Sequence, residues 1–313
     1  MKLLHSEKQL RSLCIKGAVA TIGNFDGVHL GHQTLLKTVR QKATALHLPL
    51  IVVLFEPQPK EYFQKSDAPA RLSTLREKIQ HLKECGVDYV YCIKFNQVMA
   101  STAAEQFIKQ HVIDALNTKY LLVGDDFRFG KNREGSFSLL RTLCESAHCE
   151  VEIFPELRLM NNRVSSTTIR TFLQQGLLDK AKSLLGRSYS MCGRVIKGDG
   201  RGRQWGIPTL NIGLHRLSLP LSGVFVVEVL LQSQKVYGVA NIGKRPTVDG
   251  TKNVLEVHLF HFNKSVYGEF VQVFFLHKLR NEVKFTSVES LIDQIHVDIA
   301  AAAAYLDLNT AKI

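Results

Sequence analysis

The 313-residue chain has no long hydrophobic run. Its longest apolar stretches, residues 50–55 and 300–306, fall well short of the roughly 20 residues a membrane-spanning helix needs. The first twenty residues carry Lys2, Glu7, Lys8, Arg11 and Lys16 where a secretory signal would carry an apolar segment. A cytoplasmic chain without a membrane partner is the expectation. Six cysteines are present (Cys14, Cys85, Cys92, Cys144, Cys149 and Cys192), none in a Cys-x-x-Cys pair. That excludes a zinc ribbon and a thioredoxin-type site, and with no export signal free thiols are expected. Acidic residues are the scarcer sign, 28 against 40 Lys and Arg, for a net charge of +12. A basic chain favours anionic partners, whether nucleic acid, acidic membrane or phosphorylated small molecules. The basic residues are scattered and form no single block, which argues against nucleic acid.

Residues 19–32 read Val-Ala-Thr-Ile-Gly-Asn-Phe-Asp-Gly-Val-His-Leu-Gly-His. The pattern predicts a strand over 19–22, a turn through Gly23, Asn24, Asp26 and Gly27, and a helix with Leu35, Leu36, Val39 and Ala43 on one face. His29 and His32, three apart, share a face of its first turn. Free backbone N–H groups and the positive end of the helix dipole meet there, with Gly31 allowing close approach, and the combination suits a polyphosphate. The near-continuous apolar run at 48–55 reads as a strand buried on both faces, ended by Glu56-Pro-Gln-Pro59. A helix with Leu75, Ile79 and Leu82 follows, opened by a Thr74-Leu-Arg-Glu77 capping box and stopped by Gly86. A strand over 87–93, a helix near 103–110 and a strand over 120–123 come next. Strands alternating with helices predict an α/β layer with a mostly parallel sheet. Ligands of such sheets sit at the carboxyl ends of the strands, where residues 23–32 and the basic, glycine-rich loop 124–135 both fall. At 165–170, Ser165, Ser166 or Thr167 caps a helix carrying Arg170 one turn in, a second place for an anion. A short helix over 177–185 ends at Gly186.

From Ser188 onward short β-rich runs take over, at 189–196, 224–231, 235–240, 254–260 and 269–275. They predict a small antiparallel barrel or sandwich and a domain boundary near 186–188. Gly198-Asp-Gly-Arg-Gly-Arg-Gln-Trp-Gly206 is a glycine-rich flap whose backbone N–H groups can wrap phosphates. Thr209 and Asn211, two apart on a strand, face the same way; a hydroxyl and an amide oxygen are hard donors suited to Mg²⁺ shared with phosphates. Glu256, His258 and Phe260 fall on one strand face, and Glu256 is a candidate general base. Residues 241–247 read as a further tight turn, either structural or a lid on a ligand. A capping box at Thr286-Ser-Val-Glu289 opens a last helix whose stripe of Val288, Leu291, Ile292, Ile295 and Ile299 is expected to pack on the barrel as core.

Taken in order, these motifs resemble the bacterial bifunctional riboflavin kinase/FAD synthetase family. The resemblance rests on Gly-x-Phe-Asp-Gly-x-His-x-Gly-His, Phe55-Glu-Pro-Gln-Pro, residues 124–135, Val164-Ser-Ser-Thr-Thr-Ile-Arg170, Leu185-Gly-Arg187, the flap with Pro208-Thr-Leu-Asn211, residues 241–247 and Glu256-Val-His258. It implies a Rossmann-like FMN adenylyltransferase domain over 1–186 and a riboflavin kinase domain, a small antiparallel β-barrel with a C-terminal helix, over 187–313. It implies riboflavin, FMN and ATP as small-molecule substrates, FAD as product, Mg²⁺ as cofactor and no nucleic-acid partner; the oligomeric state is left open, with a monomer favoured. The expected catalytic residues are Glu256, His29 and His32. Gly23, Asn24, Phe25, Gly31, Asp126, Ser165, Ser166, Thr167, Arg170, Gly198, Gly200, Gly202 and Gly206 are expected to bind ATP and phosphate, and Thr209 and Asn211 to hold Mg²⁺. Gln58 departs from the family pattern, which often has histidine there, and Trp205 and Leu210 depart near Pro-Thr-x-Asn. Two rival readings remain at this point: a single-activity nucleotidyltransferase with a flavin-binding barrel, and a basic RNA-binding protein.

Overall fold

The computed structural model describes residues 1–159, 162–198, 200–247 and 250–310, with the side chains of 201, 203, 245–252 and 308–310 left aside. The chain forms two compact units: Met1–Pro69 with Leu75–Ser166, and Ala70–Thr74 with Thr167–Ile313.

The first unit is built on six parallel strands, β1 (Lys2–Leu4), β2 (Ala18–Ile22), β3 (Leu50–Glu56), β4 (Tyr89–Lys94), β5 (Thr118–Gly124) and β6 (Glu150–Phe154), in the order β1-β4-β3-β2-β5-β6. All of β2 and the first five residues of β3 are buried; such strands need apolar or β-branched side chains on both faces. Helices α1 (Glu7–Arg11), α2 (Leu30–Ala45), α3 (Pro59–Gln64), α4 (Leu75–Glu84), α5 (Gln97–Ala100), α6 (Ala104–Phe107) and α7 (Phe137–Ser146) connect them, and α6 runs on into a π-helical turn over Ile108–Asp114. One apolar core gathers Leu36 and Val39 of α2 with Leu82 of α4; the other gathers Phe107, Ile108 and Leu140. From β2 the chain steps to β3 and β4 on one side, then returns to lay β5 and β6 on the other. The β2/β5 boundary is therefore the topological switch point, and loops leaving there open a crevice. A two-stranded hairpin, β7 (Arg158–Leu159) and β8 (Asn162–Arg163), follows β6.

In the second unit α8 (Ser166–Gln174) from Thr167 onward and α9 (Leu178–Leu185) precede six strands. Leu178, Ala181, Leu184 and Leu185 of α9 are buried, and the helix lies against the last strand of the barrel. Gly186 ends it in the left-handed conformation, φ 74°, with its N–H on the Lys182 carbonyl, a backbone that glycine adopts without strain. Strands β9 (Ser190–Ile196), β10 (Leu210–Gly213), β11 (Gly223–Leu231), β12 (Gln234–Thr247), β13 (Gly250–Leu259) and β14 (Phe270–Arg280) close into an antiparallel barrel, order β10-β13-β12-β11-β14-β9. Closure leaves no edge strand. The four-residue helix α10 (Arg201–Gln204) lies in the flap, and α11 (Val288–Thr310) packs Ile299, Ala302, Tyr305 and Leu306 against Val224, Val226 and Val239.

Three local expectations are corrected. Residues 241–247 form no turn: β12 runs straight through them, paired with β13. The glycine there marks a close approach, since a Cβ on Gly243 would run into the Glu282 carboxylate. The cap of α11 is Ser287, one residue later than the capping box proposed, with its hydroxyl accepting from Ser290 N at 3.2 Å. And the α11 stripe is only partly core: Val288 is exposed, while Leu291, Ile295 and Ile299 line a cavity.

Candidate functional site

The carboxyl ends of β2 and β5 carry the two loops singled out in the sequence, 23–29 and 124–135. The first is tightly wound. Gly27 at φ 79°, Phe25 at φ 47° and Val28 at φ 39° turn the chain sharply, and the Phe25 ring folds back over Gly23, where a Cβ would sit 3.2 Å from it. His29 is the N-cap of α2, its Nδ1 accepting from His32 N at 3.3 Å. Because Nδ1 accepts, the neutral ring carries its proton on Nε2, leaving that N–H as a donor. The cap is worth about 1 kcal/mol to the helix. The two imidazoles stack with centroids 3.6 Å apart and planes inclined by 18°, and the Phe25 ring lies 4.9 Å from His32. Gly31 makes this possible: a Cβ there would stand 3.2 Å from the His29 ring. The glycine of His-x-Gly-His is thus room for the first histidine as much as room for a ligand.

Ser166 joins this loop directly, donating from its hydroxyl to the Asp26 carbonyl at 2.9 Å. Ser165 precedes it, half-buried. Asp126 folds its carboxylate over Gly124 at the end of β5, and neighbouring Asp125 faces Arg163 of the β7-β8 hairpin at 3.5 Å. Asn24 is exposed within the loop. Gln58 is buried at the N-cap of α3, and its amide nitrogen has no hydrogen-bond partner among the described residues. Thr167 and Arg170 belong to the second unit, where Arg170 Nε donates to the Ala70 carbonyl.

The second unit holds a cavity of about 320 Å³, at the lower end of the range for small-molecule sites. The barrel register explains its polar wall. Asn211 of β10 stands directly across from Glu256 of β13, and Asn241 of β12 stands across from Glu256 on the other side. Opposed residues lie about 5 Å apart at Cβ, so two amides flank one carboxylate, and all three line the cavity with Thr209 and His258. The flap glycines divide into two kinds. A Cβ on Gly198 would meet the Asn211 amide at 2.3 Å, and one on Gly202 would meet the Ile207 carbonyl at 2.4 Å and the Thr209 hydroxyl at 3.3 Å. Gly200 and Gly206 have open space around them but sit at φ 73° and 74°, where side chains are strained. Gly200 and Gly202 line the cavity, as do Trp205 and Ile207. The side chains of Arg201 and Arg203 lie outside the described residues.

Several cavity residues were not singled out from sequence: Asn241, Arg280, Glu282, Phe285 and Asp298. Arg280 grips Asp298 with Nε and Nη2 at 2.8–3.1 Å, a fork-on-carboxylate pair in which Asp298 is 5% exposed. Burial pushes the Glu282 carboxyl up, against the opposing pull of Arg280. Val224, Val239, Val283, Leu291, Ile295 and Ile299 supply the apolar part of the lining.

Comparison with known proteins agrees with both halves. Residues 12–168 match the FAD synthetase family and residues 185–306 the riboflavin kinase family. A Haemophilus influenzae protein named bifunctional riboflavin kinase/FMN adenylyltransferase is 47% identical over 94% of this chain and 96% of its own length. The Escherichia coli K12 protein of the same name is 44% identical over 98% and 99%. This chain belongs to the bifunctional riboflavin kinase/FMN adenylyltransferase family. A Streptococcus pneumoniae crystal structure, described as a macrolide-efflux protein, shares the fold with a TM-score of 0.79 and 32% identity over 95% of this chain and 96% of that one. In the described residues no helix is long and apolar enough to cross a membrane.

Proposed function

We propose that the barrel cavity phosphorylates riboflavin and that the His29/His32 loop serves the adenylylation of FMN. As a member of this family the chain is both a riboflavin kinase and an FMN adenylyltransferase: it makes FMN and ADP from riboflavin and ATP, then FAD and pyrophosphate from FMN and a second ATP. The observation that carries the site assignment is the row Asn211–Glu256–Asn241 across three adjacent strands, beneath a glycine flap that packs on Thr209 and Asn211.

In the kinase reaction the ribityl 5′-hydroxyl must lose a proton as it attacks the γ-phosphorus of ATP. Glu256 accepts that proton, and Asn211 and Asn241 hold the carboxylate and the neighbouring oxygens in place. The flap backbone covers the triphosphate, and the apolar side chains of the cavity receive the flavin ring. Phosphoryl transfer depends mainly on positioning and charge neutralisation. The donor set fits Mg²⁺: no cluster of three or more His, Cys, Asp or Glu among the described residues could hold a metal, but a hydroxyl and an amide oxygen suit an ion that keeps waters and shares substrate phosphates. Thr209 and Asn211 would hold it, and it would supply charge neutralisation at the transferring phosphoryl group.

In the adenylyl transfer the FMN phosphate is already an anion, so the site needs donors more than a base. His29 Nε2–H and His32 contact the phosphates of ATP at the start of α2, and pyrophosphate leaves as the FMN phosphate oxygen bonds to the α-phosphorus. Ser165 and Ser166 complete the phosphate contacts within the first unit, with Gly23, Asn24, Phe25 and Asp126 on the nucleotide. We assign the adenylyl transfer to residues 1–186 and the kinase to 187–313. Six free thiols fit a reducing compartment, and we place both reactions in the cytoplasm. The test is a time course of purified chain with riboflavin and MgATP, resolving riboflavin, FMN and FAD. FMN rising first and FAD following is the expected result. Loss of FMN formation in Glu256→Gln with FAD still formed from supplied FMN, and loss of FAD formation alone in His32→Ala, assigns the sites; either variant at wild-type rate removes its assignment.

A further inference from the structure

We infer that His258 is a positioning residue of the kinase reaction, pinning the hinge of the glycine-rich flap to the strand that carries Glu256. The inference rests on the assignment of the barrel cavity as the kinase site.

Pro208 precedes β10, which begins at Leu210. Register with β13 starts at Leu210 opposite Val257, so the step before it, at Pro208 and Thr209, lies beyond the ladder. Proline has no N–H to extend that ladder. The structure fills the place with a side chain: His258 Nδ1 lies 2.9 Å from the Pro208 carbonyl oxygen, across 50 residues of sequence. A carbonyl can only accept, so Nδ1 carries the proton. The bond fixes the plane of the peptide between Pro208 and Thr209, and with it the backbone from which the Thr209 hydroxyl projects. The same stretch is where the flap closes on itself, Ile207 N donating to the Gly202 carbonyl at 2.8 Å, with Gly202 packed against Ile207 and Thr209. His258 itself is held by its place on β13, two residues from Glu256 on the same face, and by edge-to-face contact with Phe260 at 6.0 Å. One ring thus sets the distance between the proposed base and a proposed Mg²⁺ ligand, Thr209. Outer partners of this kind orient the groups that touch substrate, and their loss usually costs 10- to 100-fold in affinity or rate.

Two substitutions separate the bond from the bulk of the ring. Asparagine branches its amide nitrogen from the same carbon as imidazole Nδ1, so His258→Asn keeps the donor; His258→Gln moves the nitrogen one atom further and loses it. Both remove the ring equally. In the full-length chain, steady-state phosphorylation is measured with riboflavin and with MgATP varied in turn, alongside Glu256→Gln and FAD formation from supplied FMN. The expected result is a drop of about tenfold or more in kcat/KM for MgATP in His258→Gln, recovery to within about threefold of wild type in His258→Asn, and a smaller change in KM for riboflavin. FAD formation from FMN stays at the wild-type rate, showing that the first unit is intact, and the recovery in His258→Asn shows that the barrel folds without the ring. Equal losses in both variants, equal effects on the two substrates, or no loss in either would overturn the inference while an inactive Glu256→Gln leaves the site assignment standing. A Glu256→Gln variant with wild-type kinase activity overturns the assignment and the inference together.

Discussion

On the proposed assignment, the two units handle the same cosubstrate with different chemical equipment. The parallel-sheet unit presents stacked imidazoles at a helix start; the barrel presents a carboxylate between two amides on adjacent strands. The nucleophiles explain the difference. A flavin hydroxyl must be deprotonated as it attacks, whereas the FMN phosphate arrives as an anion and needs its repulsion from ATP neutralised. Glycine also serves differently in the two. In His-x-Gly-His it admits a neighbouring ring. In the flap, two glycines admit the side chains of Thr209 and Asn211 and two adopt a left-handed backbone.

The sharpest way to break this comparison is Glu256→Gln, which keeps shape and hydrogen bonding but removes the base. Riboflavin phosphorylation should fall by about 10³, within the usual contribution of general-base catalysis, while FAD formation from supplied FMN is unchanged. If the two activities fell together, the division of labour would be wrong. His32→Ala reverses the pattern: FAD formation should fall about 10²-fold, as for loss of one preorganised donor to a developing charge, with FMN formation intact. Third in size is Gly198→Ala, whose new methyl group meets the Asn211 amide at 2.3 Å. Kinase turnover should fall about tenfold, the scale of a misplaced supporting group. Gly31→Ala, at 3.2 Å from a ring that can tilt, should cost adenylyl transfer less than that.

The smallest effect is on stability against pH, and it should differ in sign between the units. Burial holds the His111 imidazole below its usual 6.5, with Glu7 opposing. The unfolded chain therefore takes up that proton first, and this contribution to the stability of the parallel-sheet unit is lost as pH falls through about 6.5 toward the lowered value. Glu282 of the barrel is shifted upward by burial from 4.5. Its contribution is complete below about 4.5 and is lost as pH rises through the raised value. Thermal unfolding followed across this range should lose the first slope in His111→Gln and the second in Glu282→Gln.

Much of this was readable along the chain. The alternation through the first half predicted a parallel α/β layer and the β-rich texture from Ser188 an antiparallel barrel or sandwich; the structure has the parallel layer and, of the two, the barrel. The pattern misled where one residue type has two uses. Gly243 read as part of a turn because glycine usually permits one, but it lies inside β12, its missing side chain replaced by the Glu282 carboxylate. The apolar stripe of α11 has the period of core packing whether it faces a packed interior or a substrate cavity, and Leu291, Ile295 and Ile299 face the cavity.

What the sequence by itself determined is the set of local requirements. They are buried strands from unbroken apolar runs, a helix start that collects N–H groups beside two histidines, and glycines where no side chain fits. These depend on neighbours within a few residues, and periodicity records them. Tertiary structure alone decided who stands opposite whom. Asn241 became a flank of Glu256 because β12 pairs with β13 in that register, and Arg280 found Asp298 18 residues away on another element. His258 reached the Pro208 carbonyl because β10 pairs with β13. Register and closure are set by the summed packing of whole strands, so the contacts they create leave no signal in the spacing of the residues that make them.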